Sequence, residues 1–206
     1  MGTILLLIGV AAAGGIVWWL VRRAQTDLLA GMPLSVSSHE VAADNPSFEA
    51  GGVRFVEVAR SESGRFLAGR TEPTAKGRGT VTTVGFADLR YGKMEWSAKL
   101  KLANHPMVTN DGIVVVEELV SDNSQATSLV AFGRNGRPAW RQDFQARIFS
   151  TGLSRDGSQV YAPTGDSRNA LHSGKTFVYN VRTGKLARHF TGWQDVIYGG
   201  KFPGET

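Results

Sequence analysis

The sequence predicts an all-β domain, an incomplete or open β-propeller-like stack of about three four-stranded blades, preceded by one N-terminal transmembrane helix. Three observations predict it. From about residue 53 onward, short runs rich in β-branched and aromatic residues alternate with turn residues. Two kinds of Gly-ended turn recur in alternation, with a common period of about 46 residues. Residues 2–21 carry no charge and are mostly apolar. The chain therefore divides into an anchor helix (1–30), a linker (31–52) and a β domain (53–206).

The anchor comes first. Residues 2–21, "GTILLLIGVAAAGGIVWWLV", have the length that spans a hydrocarbon core of about 30 Å at about 1.5 Å per residue. Trp18 and Trp19 stand where an interfacial aromatic belt belongs, and Arg22 and Arg23 follow at once. A cleaved signal peptide would carry its basic residues before the apolar run, not after it. The charge asymmetry predicts a single-pass protein of the inner (cytoplasmic) membrane, with the β domain on the cytoplasmic side; a periplasmic placement is the alternative. Gly9, Ala13 and Gly14 form a small-residue patch on which another membrane helix can pack closely. The anchor contains no ionisable residue and no His, which excludes a proton relay or direct haem or pigment ligation there.

Residues 31–52 contain Pro33 and Pro46, several serines and no sustained period, as a linker does. Beyond them lie "VRFVEVA", "RFLAG", "TVTTVGFA", "MEWSAKL", "GIVVVEEL", "TSLVAF", "PAWRQDF", "QVYAP", "TFVYNV" and "KLARHF". Each is strand-length, and none continues into an amphipathic helix. One series of turns ends in Gly64, Gly112 and Gly157; the other ends in Gly92, Gly136 and Gly184. Three units follow, at about 53–100, 103–145 and 147–190.

The segment "FADLRYGKMEW" resembles the repeat of PQQ-like, quinoprotein-type β-propellers, roughly A-x-D-x-x-T-G-x-x-x-W. Asp88, Gly92 and Trp96 fall on its Asp, Gly and Trp positions. Gly136 and Trp140 match in the second unit, where a shorter turn displaces the Asp. In the third, Thr183 and Gly184 match, Asn180 stands in for the Asp, and Arg188 replaces the Trp. The resemblance implies that these residues pack blade against blade. Physical reasoning agrees: Gly supplies the positive φ of a tight turn, and a Trp four residues later puts a large ring on the facing strand.

Composition excludes several chemistries. The chain has no Cys, so thiolate metal sites, disulfides and a Cys nucleophile are out. Its +5 net charge comes from interleaved signs, as in "RSESGRFLAGRTE", which is a solvated surface and not a nucleic-acid groove. His39, His105, His172 and His189 are scattered without metal spacing. His172 lies near Asp166 and Ser167, but proximity in sequence is poor grounds for a hydrolytic triad. "GDSRN" and "EELVSDN" lack the pattern of a Ca²⁺ loop, and "GRTEPTAKGRG" lacks that of a P-loop. No catalytic, cofactor or metal residue is expected.

Closed propellers use four or more blades, and this chain has room for three. Unfinished sheet flanks invite pairing. The expectation is a non-enzymatic accessory or scaffold subunit of a larger membrane protein complex of respiratory, photosynthetic reaction-centre or envelope-assembly type. Its partners are that complex's subunits and the lipid bilayer, with a second copy of the chain as the next choice and no nucleic acid. The competing expectation is a membrane-anchored sensor or ligand-binding propeller, or a degenerate quinoprotein-like enzyme.

Overall fold

The computed structural model describes residues 30, 32, 34–36, 47–76, 79–120, 126–167 and 171–191. The expected anchor, with Gly9, Ala13, Gly14, Trp18, Trp19, Arg22 and Arg23, lies outside the described residues. Among the described residues there is no helix, and so none long and apolar enough to cross a membrane.

Among the described residues sixteen strands make four antiparallel sheets. Strands β1 (Leu34–Val36), β2 (Phe48–Ala50) and β3 (Val53–Phe55) form a small three-stranded sheet, here called the cap. The first blade contains β4 (Val58–Arg60), β5 (Phe66–Arg70), β6 (Thr74–Lys76), β7 (Gly79–Asp88) and β8 (Lys93–Lys101). Its β6 pairs with the first residues of β7, so this blade has five strands where four were expected. The second blade is β9 (Ala103–Val108), β10 (Val114–Leu119), β11 (Thr127–Phe132) and β12 (Pro138–Phe144). The third is β13 (Gly152–Leu153), β14 (Gln159–Pro163), β15 (Lys175–Asn180) and β16 (Leu186–Thr191). The second and third blades are simple meanders in chain order.

Two features differ from the sequence reading. The stretch 31–52 contains two strands, β1 and β2, and β3 joins them in the cap instead of opening the first blade. Neither strand shows in the sequence because each is three residues long, too short for a period to register. The basic Gly-rich loop "GRTEPTAKGRG" likewise contains β6.

The hairpins repeat closely. Gly64, Gly112 and Gly157 have φ of +71°, +81° and +70°. Each donates its N–H to the carbonyl three residues back. Gly92, Gly136 and Gly184 have φ of +59°, +73° and +66°. A side chain at such φ collides with its own backbone, which is why Gly recurs at these six places. The last hairpin of every blade also carries a bulge at the same point: Phe86/Ala87, Ala131/Phe132 and Val178/Tyr179. A bulge sharpens local twist, and the residue paired just before it is Trp96, Trp140 or Arg188.

The core lies between the sheets, not within one centre. Phe66, Val84, Phe86, Trp96 and Leu100 of the first blade meet Val108, Val114, Val116, Val130 and Phe132 of the second. Val115, Leu129, Ala131 and Phe144 of the second meet Val160, Ala162, Phe177 and Tyr179 of the third. Alternate residues of β10 thus face opposite neighbours, as the two-residue period of a strand requires.

Candidate interaction site: the seams and flanks of the stack

The residues singled out in the sequence gather at the seams, where one blade packs on the next. Trp96 is 2% exposed. Its ring lies 5.5 Å from Phe86 on its own blade and 5.3 Å from Phe132 on the next. It covers Gly136 so closely that a Cβ there would come within 2.8 Å of the indole. Trp140 repeats the arrangement one blade later: it lies 6.4 Å from Tyr179 and covers Gly184, whose Cβ would come within 2.6 Å. The two Gly residues therefore have two reasons to be Gly, a left-handed φ and a ring overhead.

The seams differ in their polar parts. The Trp140 indole N–H donates to the carbonyl of Val181 across the seam at 2.6 Å. The buried Trp96 Nε1 has no acceptor among the described residues. The first seam instead has a charged clasp. Asp88, fully buried, accepts from Arg65 Nη2 at 2.6 Å and from Arg134 Nη2 of the second blade at 3.0 Å. Both guanidinium groups also lie over the Phe66 ring, at 4.6 and 5.3 Å. The hydrogen bonds from Arg65 hold the Asp88 carboxyl below its ordinary pKa, against the opposing effect of burial. At the second seam the matching Arg182 pairs with Asp111 of the second blade, in the open.

The Asp and Asn positions of the repeat also shape the turns. Asp88 accepts from the Arg90 backbone N–H and Asn180 from the Arg182 backbone N–H, each at about the ordinary distance. In the second blade Phe132 takes that place, and Asn135 caps the turn through the Arg137 N–H. Arg134, which the sequence reading did not single out, is the cross-seam partner of Asp88.

The two flanks are unlike. Against the first blade the cap lays Phe48 and Phe55, stacked at 4.7 Å, over Leu67, Ala87 and Met94. Leu34 N–H donates to Gly92 O, and Met94 N–H donates to Met32 O, so the start of β1 is stitched to the start of the outer strand β8. Gly92 itself is exposed, and a Cβ there would meet nothing within 4 Å. It matches Gly136 and Gly184 in turn but has no ring above it. On the far side of the third blade the apolar cluster is small: Tyr161 and Val178, with Phe190 against them. Among the described residues no further sheet follows there.

His172 is a packing residue here. Its ring lies 5.4 Å from Phe144 and 5.6 Å from Phe177, and its Nδ1 accepts the Gln145 N–H. Burial pushes its pKa below the ordinary value. The Ser167 backbone N–H donates to Ser173 Oγ. Among the described residues no group of three or more His, Cys, Asp or Glu is placed to hold a metal ion.

No family model matches the chain, and no curated protein matches it. Among solved structures it is similar to BamB from Moraxella catarrhalis, at 16% identity over 80% of this chain and 46% of that one, with a TM-score of 0.47. It is similar also to the Neurospora crassa Pan2 WD40 domain, at 14% identity over 78% of this chain and 44% of that one, with a TM-score of 0.40. A third similarity is to Kuenenia stuttgartiensis hydrazine synthase, at 10% identity over 77% and 62%, with a TM-score of 0.43. The chain thus spans less than half the length of the first two.

Proposed function

We propose that this protein is a non-enzymatic accessory subunit of a larger membrane protein complex, anchored by its N-terminal segment and presenting a three-blade stack to partner subunits. The observation that carries the reading is the asymmetry of the flanks. The chain spends three strands and two stacked Phe residues on closing the first blade, and the described stack ends at the third without an equivalent sheet. A blade face that carries apolar residues is stabilised by whatever packs over it. We infer that a partner subunit abuts the third-blade side, while the capped side faces solvent. The repeat itself, with Trp96 and Trp140 seated on Gly136 and Gly184, supports a kinship with quinoprotein-type β-propellers in packing, without their chemistry.

The test is purification of the full chain from membranes in mild detergent, with mass spectrometry of whatever co-elutes. The reading expects a large assembly of fixed stoichiometry. A lone, folded monomer stabilised by a small ligand would overturn it in favour of a sensor. A homodimer would name a second copy as the partner. The membrane side has its own test: protease added to sealed spheroplasts should spare the β domain if it lies in the cytoplasm, and rapid digestion reverses the assignment.

A further inference from the structure

Only two non-Gly residues among those described have positive φ, Glu57 at 34° and His105 at 46°. They lie 48 residues apart and touch. The His105 backbone N–H donates to Glu57 Oε1 at 3.0 Å. Its imidazole reaches in two directions. Nδ1 lies 3.2 Å from Glu117 Oε2 and Nε2 lies 3.8 Å from Glu57 Oε1. Glu57 precedes β4 of the first blade; His105 is in β9 and Glu117 in β10 of the second. Arg70, the last residue of β5, pairs with the other oxygen of Glu57. Two backbone positions in a costly conformation, meeting at one contact, mark a place that the surrounding structure holds deliberately.

Glu117 makes the contact consequential. Its side chain is 3% exposed, and its Oε1 has no hydrogen-bond partner among the described residues. A buried carboxylate is expensive unless something compensates its charge. The charged groups facing the imidazole are Glu117, Glu57 and Arg70. With His105 protonated, two cations meet two carboxylates. With His105 neutral, Arg70 alone remains against both, and it lies on the Glu57 side.

We propose that His105 is a proton-operated clasp across the first seam, tight when the imidazole is charged and slack when it is neutral. The hydrogen bond to Glu117 on its own blade, and the charge of Glu57 across the seam, raise the pKa of His105 above its ordinary value, against the burial that lowers it. The sign follows. A folded pKa above the unfolded one gives a stabilisation that is complete below the ordinary His value of about 6.5. That stabilisation is lost as pH rises through the folded value. The first seam is therefore firmest in mildly acid solution and loosens in mildly alkaline solution. His105 is half-exposed, so its proton exchanges freely with solvent while Glu117 stays buried.

The experiment uses the full chain in detergent micelles. Proton–carbon NMR follows the imidazoles through pH, with the His105 signal identified by its loss in His105→Gln. It should titrate above the free-histidine midpoint, and Glu117→Gln should bring it down. Hydrogen exchange of the β9 amides, corrected for the intrinsic pH dependence of exchange, supplies the second readout. In the natural chain it should be several-fold faster at pH 8 than at pH 6, and in His105→Gln the two should be equal. If His105 titrates at or below the free value, the clasp is wrong. It is equally wrong if His105→Gln keeps the same pH ratio, because then the residue is only structural. Should His105→Gln fail to fold, Glu57→Gln, which preserves shape and removes the carboxylate across the seam, decides: a vanished ratio supports the clasp and an unchanged ratio overturns it.

Discussion

The first seam and the second are built on one plan and filled differently. Each seats a Trp of one blade on the turn Gly of the next. At the first seam the ring is wholly buried among Phe86 and Phe132, its N–H finds no acceptor among the described residues, and the polar work falls to Asp88 and Arg134. At the second seam the Trp is only half-buried, its N–H is satisfied by Val181, and the charged pair, Arg182 with Asp111, stands in water. The difference teaches that the Gly and the ring set the spacing of the blades, whereas the strength of a seam depends on how completely each polar group is dried and paired. Gly92 extends the comparison: it has the same turn with the ring left out.

Six substitutions break or sharpen this contrast. The largest effect is expected from Trp96→Ala, about 3–5 kcal/mol of unfolding free energy, with Trp140→Ala closer to about 2 kcal/mol because part of that ring already meets water. Urea unfolding followed by near-ultraviolet circular dichroism measures both; equal losses would erase the distinction between the seams.

Asp88→Asn should cost about 3 kcal/mol, because it leaves two guanidinium groups facing a neutral amide at a buried site. It should also alter the acid limb. The carboxyl's pKa is lowered, so its stabilisation is complete above the ordinary Asp value of about 3.9 and is lost as pH falls through the folded value. Thermal melts from pH 6 to pH 2 should fall less steeply in Asp88→Asn than in the natural chain.

Gly136→Ala and Gly92→Ala form the cleanest pair. Each pays about 1–2 kcal/mol for a Cβ at left-handed φ, but only at Gly136 does that Cβ strike the indole, adding roughly 2 kcal/mol of overpacking. Matching denaturation midpoints would show that the ring yields and that the seat is not tight. The smallest effect belongs to Arg182→Ala. Both members of its pair are well exposed, so a change within about 0.5 kcal/mol is expected, shrinking further in added salt.

How much was legible in advance depends on the distance over which a residue acts. The six turn glycines were legible because the requirement is local: a positive φ excludes a side chain whatever surrounds it. The Gly-to-Trp spacing of four was legible for the same reason, since a hairpin sets which residues face one another. Arg134 was not, because its partner Asp88 lies 46 residues away and surface arginines are common. The pair Glu57 and His105 was hidden further, as nothing in the residue types signals that both will adopt left-handed backbone. The cap was hidden by brevity, its strands being three residues each.

From its own order of residues, then, this chain determined hairpins, turn positions, the placing of one large ring per blade in the first two blades, and the absence of that ring in the third, where Arg188 stands. Those follow from sterics and from the two-residue alternation of strands, which act over a few bonds. Only the folded molecule decided which flank closes on itself, which arginine reaches Asp88 and where a buried Glu117 meets a histidine. These depend on surfaces brought together from distant parts of the chain, and burial has no meaning until those surfaces meet.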